Sequence, residues 1–345
     1  MVDMKQVKEM LNGAEYDFLR NEPALKNIMF LTLGGSKAYG TDNENSDTDI
    51  RGCVAQSMSS LLGIKNSYKE NNFEQYVETN TDTVVYSFNK LVELLLSCNP
   101  NTIELLGCKP EHYIKVSEAG KLLLEGKKLF LSQRAVASFG GYATAQLRRL
   151  TNALARDTYT QAEKERHIYN SCMNILNTFD DRHREMPEGS FVLSIDKTDR
   201  EGMETEIFVD AHLTHYSLRE LKGIMNELTN VIRDYEKIGK RNHKKDDAHL
   251  NKHAMHLIRL YLMGIDILEK EDIITYREAD LPLLLSIRNG SYMNSDGRYN
   301  SAFFEMVDEM EKRLAYAAKN TSLPKIPDYA KVNELVMEIN KKSIE

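Results

Sequence analysis

Two hydrophobic periods divide this chain. Residues 28–33, Ile-Met-Phe-Leu-Thr-Leu, are almost wholly apolar and stop abruptly at Gly34-Gly35-Ser36, which predicts a short buried strand. A second strand is expected over 47–54, with Ile50 and Cys53 among its apolar positions, and a third, β-branched one over 81–86. Ahead of them, Val7, Met10, Leu11 and Phe18 recur at near-helical spacing, so a helix is expected over 3–20 before Asn21-Glu22-Pro23 interrupts it. Beyond Asn89 the helical period dominates. It predicts helices over 88–97 (capped by Ser87), 102–106, 133–155, 161–179, 218–238, 249–269 and 302–319, then 329–341 after the joint at Pro324 and Pro327. Ser217 and Glu220 make a capping box for the helix at 218. One hairpin breaks the series, with strands over 190–195 and 205–213 around the charged loop 196–202. The pattern reads as an α/β front end of about 110 residues and a larger helical back end, with no internal repeat.

Composition narrows the class. The 345 residues are 41% hydrophobic and 28% charged, an ordinary polar globular balance rather than a disordered one. No apolar run approaches a membrane span, residues 1–10 contain no signal-peptide core, and a cytoplasmic location is expected. Cys53, Cys98, Cys108 and Cys172 lie far apart with no CxxC pair, which argues against a zinc site or a disulfide framework. The net charge of −7 argues against a surface built throughout to grip nucleic acid. Locally the sign inverts, because residues 237–252 carry six Lys or Arg against two Asp.

Candidate chemistry concentrates at Gly34-Gly35-Ser36-Lys37-Ala38-Tyr39-Gly40 followed by Ser46-Asp47-Thr48-Asp49. A strand ending at Gly-Gly-Ser exposes main-chain N–H groups to an anion, and Ser36 adds a hydroxyl donor. Asp47 and Asp49, two apart on the expected strand, would project from one face and repel each other unless a cation lies between them. Mg²⁺ takes such oxygen ligands together with substrate phosphates, and the pair suits two-metal phosphoryl transfer. A third carboxylate is needed; Asp82 is the best placed, with Glu78 in reserve. Arg51 reads as a structural ion-pair partner. Tyr39 is open to base stacking or to packing, and Lys252, His256 and Arg259 share one helical face that could turn toward a triphosphate or an anionic acceptor. Glu104 fits a capping box begun at Asn101, Arg288-Asn289-Gly290 a helix C-terminus, and Gly140-Gly141 a close helix crossing.

The combination of Gly35-Ser36, Gly40 and Ser46-Asp47-x-Asp49 resembles the DNA polymerase β-like nucleotidyltransferase superfamily. It is most similar to a bacterial branch of predicted nucleotidyltransferases, which also matches residues 99–106, 252–260 and 287–290. The resemblance implies an α+β fold: a small mixed β-sheet nucleotidyltransferase core with flanking helices, then a mostly helical C-terminal region. The implied domains are 1–110, catalytic, and 111–345, acceptor-selecting, with a small hairpin at about 190–213. It further implies that Asp47, Asp49 and Asp82 hold two Mg²⁺ (or Mn²⁺) ions while Gly35 and Ser36 hold the triphosphate. An NTP or dNTP would be the donor. The acceptor stays open between another nucleotide, giving a short oligonucleotide as a signal in a defence system, the 3′ end of an RNA or short single strand, and a small-molecule or protein hydroxyl. A protein partner also stays open. The competing expectation is an inactive nucleotide-binding or antitoxin-like module that keeps the fold without turnover.

Overall fold

The computed structural model describes residues 3–64, 72–177, 186–187, 189–240 and 247–344. Two compact units emerge. The first comprises residues 1–145, 255–289 and 302–345; the second comprises 146–254 and 290–301.

The first unit begins with helices α1 (Met4–Leu11) and α2 (Phe18–Asn21). The expected single helix over 3–20 is broken because Asn12 and Gly13 end α1, and Arg20 folds back to donate to the Leu11 and Gly13 carbonyls at 2.6 and 3.0 Å. Strand β1 (Ile28–Leu33) is buried at every position, as its apolar run predicts. Helix α3 (Gly35–Tyr39), strand β2 (Ile50–Val54), helix α4 (Met58–Leu62) and strands β3 (Gln75–Glu78) and β4 (Thr83–Ser87) follow. Next come α5 (Phe88–Leu96), capped by Ser87 as expected, α6 (Pro100–Ile103), strand β5 (Tyr113–Val116) and α7 (Glu118–Glu125).

The five strands form one mixed sheet in the order β3-β4-β2-β1-β5; only β2 and β4 run parallel. Together with the helices this is the α+β architecture expected. A core of Leu25, Leu31, Leu33, Tyr39, Ile50 and Val85, joined by α1 residues Val7 and Leu11, closes one face of the sheet. The small strands β3 and β5 carry half-exposed, mixed sequences, so their periodicity alone did not reveal them.

Helix α8 (Arg134–Thr158) starts in the first unit and ends in the second, which also contains α9 (Gln161–Asn177), strands β6 (Phe191–Lys197) and β7 (Thr205–Ala211) and helix α10 (Leu218–Lys240). The β6–β7 hairpin is the one expected from sequence. Ile168, Cys172, Ile224 and Leu228 form its core with Phe191, Leu193 and Ile207. Gln161 clamps the hairpin, donating to the Thr205 carbonyl at 2.7 Å and accepting from the Thr205 N–H at 3.0 Å. Helix α11 (Asp247–Lys270) divides between the units, and α12 (Leu281–Arg288), α13 (Ser301–Asn320) and α14 (Tyr329–Ile344) complete the chain. Arg288-Asn289-Gly290 is a helix end with Gly290 at φ +84°, as expected. The last residues of the helix expected over 161–179, and residues 241–246 of the basic stretch 237–252, lie outside the described residues. Among the described residues no helix is long and apolar enough to cross a membrane. All four cysteines are free thiols, with Cys53, Cys98 and Cys172 buried.

The close helix packing expected at Gly140-Gly141 lies elsewhere. A Cβ at Gly140 would make only ordinary contact with Leu314, 3.6 Å away, and at Gly141 it would meet nothing. At Gly120, by contrast, a Cβ would come within 2.3 Å of the Met29 carbonyl oxygen, so α7 lies flat on β1 only because this position has no side chain. Gly120→Ala should therefore destabilise the protein by about 1–3 kcal/mol. Gly141→Ala, on an exposed helical surface, should be neutral or stabilising by up to about 1 kcal/mol. Urea unfolding midpoints of the two variants check the contrast.

Candidate active site

The register of three strands builds the site. Leu33 on β1 pairs with Ile50 on β2, and Ile50 pairs with Thr83 on parallel β4. The end of β1 and the starts of β2 and β4 therefore share one edge of the sheet. Two main-chain hydrogen bonds fasten it: Gly34 N–H to the Asp49 carbonyl at 2.8 Å, and Ile50 N–H to the Asp82 carbonyl at 3.2 Å.

Strand β2 begins at Ile50, not at residue 47, so Asp47 and Asp49 sit in the approach to the strand rather than on one of its faces. The reason is local. β1 ends at Leu33 and the chain turns at once into α3, leaving residues 47–49 without a ladder partner apart from the Asp49 carbonyl. β4 likewise begins at Thr83, after Asp82, whose φ of +42° is a left-handed conformation that few non-glycine residues adopt. Asp49 tucks its carboxylate over Gly35: Oδ2 lies 1.9 Å from where a Gly35 Cβ would stand, and Gly35 itself has φ +55°. The Gly-Gly pair is thus what admits the Asp49 carboxylate to the start of α3. At Gly34 a Cβ would stand 2.8 Å from the Arg51 Cγ, so this glycine also makes room for the Arg51 stem.

Arg51 joins the acids. One guanidinium nitrogen, Nη2, donates to Asp49 Oδ1 and to Asp82 Oδ1, both at 3.0 Å. The other, Nη1, donates to the Asp82 and Ile50 carbonyls. The structure thus brings Asp49 and Asp82 together on one cationic group. Asp47 is exposed, two residues upstream, and Glu78 accepts the Asn80 N–H of its own turn at 3.2 Å. Among the described residues no group of three or more His, Cys, Asp and Glu side chains is placed to hold a metal ion. Ser36 is buried in the first turn of α3. The loop between the two halves of the motif is held from 240 or more residues away: Arg288 donates to the Thr41 carbonyl, and to the Ser46 hydroxyl at 3.1 Å. Lys37 reaches back to the Thr48 hydroxyl. Neither contact was visible in sequence, since Arg288 read there as part of a helix end.

Tyr39, His256 and Arg259 form a separate cluster below α3. The Tyr39 hydroxyl donates to Glu104 Oε1 at 2.7 Å, while Arg259 donates to Glu104 Oε2 at 2.9 Å and lies 3.6 Å from the centre of the Tyr39 ring. The His256 ring stands edge-on to Tyr39 at 6.1 Å. Tyr39, Glu104 and Arg259 are all at most 6% exposed. Burial holds the Tyr39 phenol well above its usual range, so it remains a neutral donor. Glu104 is therefore not a capping-box residue; Asn99 caps α6, accepting the Asn101 N–H at 3.0 Å. Lys252 is exposed on α11 within the second unit. The helical row Lys252–His256–Arg259 thus grades from exposed to buried.

A cavity of about 460 Å³ lies at the other end of β2, against Pro23, Val54, Gln56, Ser60 and Phe73, away from Asp49. Because Glu104 pairs with buried Arg259 at 2.9 Å, Glu104→Ala should cost about 3–5 kcal/mol by removing the carboxylate that compensates that charge. Glu104→Gln, which keeps one accepting oxygen for Arg259 and can donate its amide N–H to the Tyr39 hydroxyl oxygen, should cost less. Thermal and urea denaturation of the two variants measure this.

No curated protein and no solved structure matches the chain. Residues 5–174, which carry the whole five-stranded sheet and the edge from Gly34 to Asp82, match the family model of the RNA repair pathway DNA polymerase beta family, a match consistent with a DNA polymerase β-like nucleotidyltransferase.

Proposed function

We propose that the protein transfers a nucleoside monophosphate from an NTP or dNTP to an acceptor hydroxyl, with divalent cations held at the Asp49 edge. The observation that carries this reading is the convergence of Asp49 and Asp82 on a single positive group beside the Gly34-Gly35-Ser36 turn. A pair of carboxylates that already shares one cation has the oxygen-donor chemistry that Mg²⁺ or Mn²⁺ takes. Asp49 and Asp82 would hold the ions, with exposed Asp47 swinging in as the further ligand. When bound, such ions neutralise charge on the triphosphate and on the attacking and leaving oxygens.

The chain's own groups do the rest. Main-chain N–H groups at the start of α3 and the Ser36 hydroxyl orient the phosphates. The acceptor oxygen forms a bond to the α-phosphorus as the bond to the bridging oxygen breaks, and pyrophosphate leaves with that electron pair. Asp82 accepts the acceptor's proton. Few other side chains need special reactivity, since positioning and charge neutralisation supply most of the acceleration. Among acceptors, an RNA 3′ end is favoured, because the family that residues 5–174 match is described by an RNA repair pathway. A cytoplasmic site of action fits such a substrate.

A second reading, a nucleotide-binding module without turnover, draws on the outlying position of Asp47 and on the absence of a three-ligand cluster among the described residues. The two readings separate in one assay. The protein is incubated with each NTP and dNTP, Mg²⁺ or Mn²⁺ and a short RNA, and products are resolved by mass. Pyrophosphate release with a nucleotide-mass adduct supports transfer; tight nucleotide binding with no product under any condition supports the module. For the transferase, Asp49→Asn should lower kcat by about 10²–10³-fold or more while leaving the melting temperature near the parent value. Parent-level turnover in that variant would sink the assignment of Asp49.

A further inference from the structure

The cation already shared by Asp49 and Asp82 is part of the chain. Arg51 Nη2 sits between the two Oδ1 atoms at 3.0 Å from each, and its guanidinium is gripped further by the Asp82 and Ile50 carbonyls. The Arg51 and Asp49 side chains are only about one-fifth exposed (21% and 18%), whereas Asp82 is more than half exposed at 56%. The Arg51 stem has a fixed bed, because a Gly34 Cβ would lie 2.8 Å from its Cγ. Asp82, in the left-handed region at φ +42°, presents both its carboxylate and its carbonyl to Arg51. These features describe a built position for one positive charge between two carboxylates.

A divalent ion bridging those two oxygens would need that same space, at the ~2.1 Å ligand distance Mg²⁺ demands. A guanidinium and a divalent ion cannot both occupy it, since like charges at such separation repel strongly. We propose that Arg51 is the resident counter-cation of the Asp49–Asp82 pair, and that a divalent ion enters by displacing it. Arg51 thereby sets the metal affinity of the nucleotide-free protein. This rests on the metal-site reading above and deepens it. Arg51 acts here as a positioning residue: it keeps Asp49 and Asp82 facing one another when no ion is present, where unscreened repulsion would drive them apart. The apparent affinity for the ion is the intrinsic affinity reduced by the fraction of molecules whose guanidinium has withdrawn. The consequence has a sign opposite to that of an ordinary supporting residue. Removing Arg51 should tighten ion binding.

The test is a titration of full-length protein with Mn²⁺ alone, without nucleotide, reading free Mn²⁺ by electron paramagnetic resonance. Arg51→Gln should bind Mn²⁺ about tenfold or more tightly than the parent. Arg51→Lys, which keeps the charge but not the fork, should fall between them. Asp49→Asn should weaken binding in either background. Unchanged or weaker binding in Arg51→Gln, with Asp49→Asn still weakening the parent, would overturn the displacement and leave the metal site standing. Equal binding by the parent and Asp49→Asn would remove the metal site itself, and the proposal with it. Should Arg51→Gln not fold, the parent protein answers through its ¹⁵N-labelled arginine side chains. Adding Mg²⁺ should release one slowly exchanging guanidinium, absent from the Arg51→Lys spectrum, and its persistence at saturating Mg²⁺ would overturn the proposal.

Discussion

The main-chain hydrogen bonds on either side of Asp49 are the constraint on which the site depends. Gly34 N–H holds the Asp49 carbonyl, and the next residue's N–H holds the carbonyl of Asp82. These bonds continue the β1–β2 and β2–β4 ladders by one residue beyond the strands, so the burial of Leu33, Ile50 and Thr83 within the sheet fixes the register of the acids. A slip of one residue in either pairing would reverse every side chain on the slipped strand, sending Ile50 out of the core. Core packing and chemistry are thus governed by a single register.

Charge at this edge is balanced locally. Asp49 is mostly buried against the start of a helix whose first residue must be glycine, and Asp82 adopts a strained backbone conformation. Strain of this kind costs about 1–3 kcal/mol and persists only where the surroundings over-determine it. Arg51 supplies that over-determination by binding both the carboxylate and the carbonyl of Asp82. A second arginine, Arg288, steadies the preceding loop through Thr41 and Ser46. A third, Arg259, acts deeper, where Glu104 ties it to Tyr39 and so ties α11 to α3. The three guanidiniums do related work at three depths, each securing part of the segment from Gly35 to Asp49.

Much of this was legible before any coordinates. The buried run at 28–33, the Gly-Gly-Ser stop and the Asp-x-Asp pair are local signals, and they locate the edge of the sheet where the acids gather. The long helices were equally plain, because eighteen or more residues of amphipathic period leave little ambiguity. The start of β2 was misjudged by three residues, since Asp47, Thr48 and Asp49 alternate like strand residues while having no neighbouring strand to pair with. Gly140 and Gly141 looked like a packing device only because helix contacts are invisible to local pattern.

The sequence by itself determined which residue types are available to the chemistry and, through periods of two and 3.6, which segments become strands and helices. It determined that the glycines and the acids lie at a strand end, because apolar runs must be buried and polar ones interrupt them. Only the tertiary structure decided which groups meet. That Asp82 faces Asp49 follows from a parallel pairing of strands 33 residues apart in register, Ile50 with Thr83. That Arg51 stands between them follows from the space left over Gly34. That Tyr39 and Arg259 are buried around Glu104 follows from helix packing across 155 residues of chain. Such contacts depend on the summed burial of the whole core, a quantity that no local window of sequence contains.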